Sequence, residues 1–221
     1  MSAPLARLWL CADVDHRNAP SIVARVRAVI REVPASVWLR SPHGWSARAL
    51  FEVAWALREH THRTGSALFV GDRLDVATLV GADGVHLPER AFLPSTVRAS
   101  SALRVSVATH DARGVTAAAP YADVLVASPF GALEGKGAAL GREGFAALRA
   151  LAPTRPFVAL GGIVTADDAR AAIAAGADGV AVRRALLDAS DPLAACAEIA
   201  RALPSGWLTE RADGANTSRD A

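Results

Sequence analysis

Cysteine is nearly missing from this chain. Its two copies, Cys11 and Cys196, stand far apart in apolar surroundings with no CxxC or Cys/His spacing. That excludes a disulfide framework and a thiolate metal site, and leaves two buried thiols of a reducing compartment. Long apolar runs are missing too. Nothing approaches the roughly 20 uninterrupted apolar residues of a membrane span, and no basic stretch, apolar run and cleavage site open the chain. The expected setting is the cytoplasm, with no membrane partner. Charge of one sign is nowhere concentrated: 24 Lys and Arg are interspersed with 22 Asp and Glu, for a net charge of +2. With no basic block to track a phosphate backbone, nucleic acid is not an expected partner.

What remains is a chain of 221 residues, 52% hydrophobic, which suits one large core and is short for two. Eight short apolar runs read as strands: LWLCAD (8–13), SVWLR (36–40), ALFVG (67–71), GVHL (84–87), RVSVAT (104–109), DVLVAS (123–128), FVALGG (157–162) and GVAV (179–182). Helix-length segments rich in Ala, Leu and Arg separate them. Strands that are apolar on both faces belong to parallel sheets covered by helices, each helix making the return crossover. Eight such units predict a closed (β/α)8 barrel over residues 1–203, because an open doubly wound sheet usually stops at five or six strands. The polar, Gly-containing end, residues 204–221, reads as a disordered tail.

One string is written twice, as GADGVHL (81–87) and GADGVAV (176–182). Gly81 and Gly176 supply left-handed helix ends, and Ala-Asp-Gly turns the chain into a buried strand. The strands' carboxyl ends differ, and barrel enzymes place their chemistry there. The seventh strand runs into Gly161-Gly162, with Thr165 placed as a helix N-cap. The eighth ends in Val182-Arg183, which can open a short helix. Glycines beside a helix start present backbone N–H groups to an anion, so Gly161, Gly162, Val182 and Arg183 are expected to form a phosphate cup.

The ordered set GDRLDVATLVGADGVHLP, SVATHDARG, DVLVASPF, LEGKG, VALGGI and GADGVAVRRAL resembles the thiamine-phosphate synthase and thiazole tautomerase family over about residues 8–203. The resemblance implies a barrel that binds a phosphorylated thiazole or related heterocycle on the same four cup residues, and it implies self-association into a homo-oligomer. The family has two branches. A synthase joins a pyrimidine diphosphate to the thiazole phosphate and needs Mg²⁺. Of its Gln-x-Arg-x-Lys pattern only Arg40 remains, in Trp38-Leu39-Arg40-Ser41-Pro42. Its Asn-Asp-Arg pattern becomes Gly71-Asp72-Arg73, which leaves Asp72 as the implied metal carboxylate and substrate contact.

A tautomerase moves a proton and needs no cofactor. HLP followed by AFLPS, together with LEGKG, resembles this branch, which is therefore the expected one. The branch's histidine is replaced by Ser128 in ASPF, however. Proton transfer requires a positioned acid or base, so His110 and Glu89 join Ser128 as candidate catalytic residues, and Lys136 is a candidate ligand contact. By alternation His86 is expected to face the helices. A synthase and a non-catalytic binder of a phosphorylated ligand stand as alternatives. A metal-dependent sugar-phosphate epimerase is disfavoured because no paired His/Asp ligands recur at strand ends.

Overall fold

The computed structural model describes residues 3–15, 17–40, 45–89, 91, 93–133, 135 and 137–208. Eight parallel strands form a closed barrel in chain order: β1 (Leu8–Asp13), β2 (Ser36–Arg40), β3 (Leu68–Gly71), β4 (Gly84–Leu87), β5 (Arg104–Thr109), β6 (Val124–Ala127), β7 (Phe157–Leu160) and β8 (Gly179–Val182). β1 pairs with β8 through Leu8 and Val180, which shuts the ring. The helices alternate with the strands: α1 (Ala19–Glu32), α2 (Ala47–Thr64), α3 (Leu74–Leu79), α4 (Pro94–Ser100), α5 (Ala112–Ala118), α6 (Gly141–Ala150), α7 (Ala166–Ala174), the one-turn α8 (Arg184–Leu187), and α9 (Pro192–Arg201). The expected (β/α)8 architecture is present. Ala67, Asp123, Ser128, Gly161 and Gly162 fall just outside their strands, where the chain enters or leaves the sheet.

Period-two alternation sorts the strand side chains into two cores. Trp9, Cys11, Trp38, Phe69, Val124, Val126, Val158 and Ala181 fill the barrel interior. Leu8, Leu10, Val37, Leu39, Val85, Val105, Leu125 and Val180 face outward, against helix residues such as Val26, Leu50 and Phe145. His86 goes the other way from expectation. A β-carbon at Gly84 would lie 2.2 Å from the Phe69 ring, so that side of β4 faces inward. His86, two residues on, is therefore inside too, with its ring 3.7 Å from that of Trp38 and its Nδ1 3.0 Å from Ser106 Oγ. Register, not propensity, decides this: GVHL is apolar on both faces, so its pattern cannot tell inside from outside.

The repeated Ala-Asp turns tie strands together on the amino-terminal face. Asp83, Asp123 and Asp178 each precede an even-numbered strand. Each donates its backbone N–H to the strand before it, at Leu68 O, Val105 O and Phe157 O (2.9, 2.8 and 2.8 Å). Each carboxylate then accepts the N–H of that same residue, at 3.0, 2.7 and 2.9 Å. Arginines neutralise them: Arg58 and Arg104 at Asp83, Arg98 at Asp123, and Arg149 at Asp178. Ser36 repeats the device at β2 by accepting from Ala6 N at 2.9 Å.

Gly81 and Gly176 hold positive φ angles of 61° and 97°, as a left-handed helix end requires. Two residues of the expected tail also join this face: Leu208 is buried and its N–H donates to Leu5 O at 2.8 Å, and Trp207 bridges to Ala6. Residues 209–221 lie outside the described residues.

Candidate active site

The carboxyl ends of the strands gather nine of the ten residues expected from the sequence; Lys136 lies outside the described residues. After β7 the chain bends through Gly161 and Gly162, whose φ angles are 97° and 74°. A β-carbon at Gly162 would stand 2.6 Å from Gly131 Cα, and one at Gly161 would stand 3.1 Å from Pro129 Cα. Gly131 N donates to Gly161 O at 2.8 Å, and Phe130 N to Leu160 O at 2.8 Å. The loop after β6 is thus fastened to the loop after β7 by backbone alone, and a side chain at Gly162 would push the two apart.

The Gly161 and Gly162 amides have no acceptor among the described residues. Across from them Arg183 caps the first turn of α8 without a side-chain cap bond. Free N–H groups from both loops suit a phosphate. Val182 points outward into the buried apolar layer, so it can offer an anion only its backbone. Thr165 caps α7 by accepting from Asp168 N, with Asp168 returning the bond as a capping box, which fixes where the glycine turn ends.

Asp13, at the end of β1, is a site residue that motif reasoning passed over. Arg183 Nε donates to its Oδ2 at 2.9 Å, and Arg40 Nε lies 4.0 Å from its Oδ1. One carboxylate thus sits between two guanidiniums on β2 and after β8, at the strand end next to the turn into α8. The sequence did carry a signal, since an acidic residue closes an otherwise apolar strand, LWLCAD.

After β3, Asp72 takes φ 59°, the only positive φ on a non-glycine residue among the described residues. Its N–H donates to His86 O at 2.8 Å, which holds the strained backbone in place. No group of three or more His, Cys, Asp or Glu is placed to hold a metal among the described residues. These residues do not build a metal cage of their own. A single carboxylate at a strand's carboxyl end would fit Mg²⁺ that arrives on substrate phosphates, because that ion is commonly held by one or two carboxylates plus phosphate oxygens.

Three further candidates converge after β4, β5 and β6. His110 Nδ1 lies 2.7 Å from the carbonyl oxygen of Ser128 and 3.3 Å from Ser128 Oγ. Its Nε2 faces Glu89 Oε2 at 3.8 Å. A carbonyl oxygen only accepts, so Nδ1 carries the proton and the neutral ring's lone pair is on Nε2. Ser128 Oγ is therefore not next to a basic nitrogen, and the basic edge of His110 turns toward Glu89.

Beneath the mouth, burial pushes the His86 imidazole down to about 3, with a smaller contribution from Arg40, so this ring is neutral. Burial raises the Cys11 thiol to about 12, which makes it inert as a nucleophile.

A family profile described as thiamine monophosphate synthase matches residues 10–186. A thiamine-phosphate synthase of Azorhizobium caulinodans is 38% identical over 191 residues, covering 83% of this chain and 88% of the relative. One from Chloroflexus aurantiacus is 35% identical over 203 residues, covering 90% and 93%. Among solved structures, a thiamine phosphate pyrophosphorylase from Pyrococcus furiosus superposes with a TM-score of 0.78 at 27% identity, covering 89% of this chain and 94% of that one.

Proposed function

Since the chain belongs to the thiamine monophosphate synthase family, we propose that it joins a pyrimidine diphosphate to a thiazole phosphate, releasing pyrophosphate. One observation carries this reading: a backbone phosphate cup and a pair of guanidiniums stand side by side at one barrel mouth. A single phosphorylated ring needs only the first. A reaction with a phosphate on one substrate and a diphosphate on the other uses both. In this reading Gly161, Gly162 and the Arg183 end of α8 hold the thiazole phosphate. Arg40 and Arg183 take the diphosphate, and Asp72 holds Mg²⁺ bound to it. The ion supplies charge neutralisation for the departing pyrophosphate. The names carried by the matched relatives move this transfer reaction ahead of the tautomerase expected from the loop motifs.

The test is direct: purified protein, both substrates and Mg²⁺, with thiamine phosphate and pyrophosphate measured as products. Formation of both in equal amounts, lost on chelation of Mg²⁺, supports the reading; no product from substrates that bind would sink it.

The convergence of Glu89, His110 and Ser128 favours a second reading, proton transfer on a thiazole carboxylate phosphate with His110 Nε2 as the base. Isomerisation of that compound without metal would establish it.

A further inference from the structure

We propose that Asp13 is a positioning residue that sets Arg40 and Arg183 side by side so that together they grip a diphosphate group; this rests on the transfer reading above. The contacts are unusual in which nitrogen they use. Both arginines address Asp13 through Nε, Arg183 at 2.9 Å on Oδ2 and Arg40 at 4.0 Å on Oδ1. Nε is the inner nitrogen, so Arg183 is hydrogen-bonded and Arg40 ion-paired through the stem edge of the guanidinium, and no terminal NH₂ group of either makes a hydrogen bond to the carboxylate. No other carboxylate or carbonyl among the described residues takes those terminal groups, and the one further side-chain partner of Arg40 is the Cys11 thiol below it.

Position gives the pair its purpose. β1 lies between β2 and β8 in the closed ring, so Asp13 stands between the strand that carries Arg40 and the loop that carries Arg183. Its side chain is 20% exposed, whereas those of Arg40 and Arg183 are 50% and 48% exposed. The acid is recessed and the two cations stand forward over the mouth. Two like charges held this close repel, and long arginine side chains left alone would separate and lose rotamer freedom again on binding. A recessed carboxylate offsets both costs before the ligand arrives, and each outward fork keeps the geometry that suits a phosphoryl oxygen pair.

The proposal predicts a sign that charge alone would reverse. Replacing Asp13 by Asn makes the mouth more positive by one unit, so a purely through-space role predicts tighter binding of pyrophosphate, and tighter still for more highly charged anions. A positioning role predicts weaker binding of pyrophosphate, with inorganic phosphate, seated mainly on the backbone cup, hardly changed.

Titration calorimetry of inorganic pyrophosphate and inorganic phosphate, against wild type, Asp13→Asn and Asp13→Glu, decides between them. Expected is an about tenfold loss of pyrophosphate affinity in Asp13→Asn, the size of one or two lost charge-assisted contacts, with partial recovery in Asp13→Glu. Thermal midpoints without ligand report whether each variant is folded, and Asp13→Ser replaces Asp13→Asn if that variant does not fold. Unchanged or tighter pyrophosphate binding in the folded variant overturns the proposal and leaves the transfer reading intact. Wild type that binds pyrophosphate yet makes no thiamine phosphate defeats the transfer reading and keeps the proposal. Wild type that ignores pyrophosphate defeats both.

Discussion

The Nδ1 of His110 donates to the carbonyl oxygen of Ser128 at 2.7 Å, and that one bond decides which edge of the imidazole is basic. Because a backbone carbonyl has no side chain to remove, replacing Ser128 leaves the tautomer unchanged. If proton transfer occurs at this mouth, His110→Ala costs about 10²- to 10⁴-fold in isomerisation rate, while Ser128→Ala costs little. Rates for both variants on a thiazole carboxylate phosphate check this. An equal loss in the two would assign the work to the Ser128 hydroxyl instead.

Gly162→Ala tests the cup without adding charge. Its φ of 74° and the 2.6 Å approach of Gly131 Cα leave no room for a methyl group. We expect a stability loss of about 1–3 kcal/mol, as for overpacking at a strained backbone position, and loss of the thermal shift given by thiazole phosphate. A full ligand-induced shift in this variant would place the phosphate elsewhere.

Asp72 trades stability for charge. A left-handed non-glycine residue costs roughly 1 kcal/mol, so Asp72→Gly is expected to raise the thermal midpoint and, on the transfer reading, to lower Mg²⁺-dependent turnover. Asp72→Asn tolerates the same backbone and loses only the charge. It should match wild type in stability and Asp72→Gly in activity. Melting curves and Mg²⁺ titrations of the two variants separate strain from metal binding.

His86 gives the protein an acid limb. Its imidazole titrates near 3 in the fold against an ordinary 6.5, so between those values the unfolded chain binds the extra proton. Stability from this group is fully present above about 6.5 and falls as the pH drops toward 3. Between pH 7 and 4.5 the loss is on the order of 2 kcal/mol, and His86→Phe should flatten it. Urea unfolding of both proteins at the two pH values measures the difference; an unchanged slope would mean that other groups set the acid limb.

Of the underside aspartates, Asp178 is the most informative, since both it and Arg149 are about 8% exposed. Asp178→Ala leaves a buried guanidinium without its carboxylate and the Phe157 N–H without its acceptor. The expected cost is about 3–5 kcal/mol. The folded variant should keep wild-type affinity for inorganic phosphate, because the proposed cup is at the other end of the barrel.

The sequence displayed some of this openly. Eight apolar runs separated by helical segments are enough for a barrel, and Gly161-Gly162 reads as a sharp turn after the seventh strand, which its positive φ angles bear out. Asp13 stayed hidden because its meaning depends on Arg40 and Arg183, which are 27 and 170 residues away and come together only when β1 is flanked by β2 and β8. His86 was misplaced because a strand buried on both faces carries no pattern from which its facing can be read. The convergence of Glu89, His110 and Ser128 follows from neighbouring strand ends, so the strand order makes it visible, whereas the direction of the His110 ring does not follow from order alone.

The carboxylate ties on the amino-terminal face join β3 to β4, β5 to β6 and β7 to β8, and Ser36 joins β1 to β2. Every tie therefore lies within an odd-even strand pair. A cut between α4 and β5 separates the chain into two halves of four strands and severs none of them, although the Arg104 contact to Asp83 crosses it. A cut between β4 and α4 does the same, while one inside α3 splits a tied pair. Co-expressed halves divided after β4 are the ones expected to reassemble, and the amides of Leu68, Val105 and Phe157 should be the last to exchange in each.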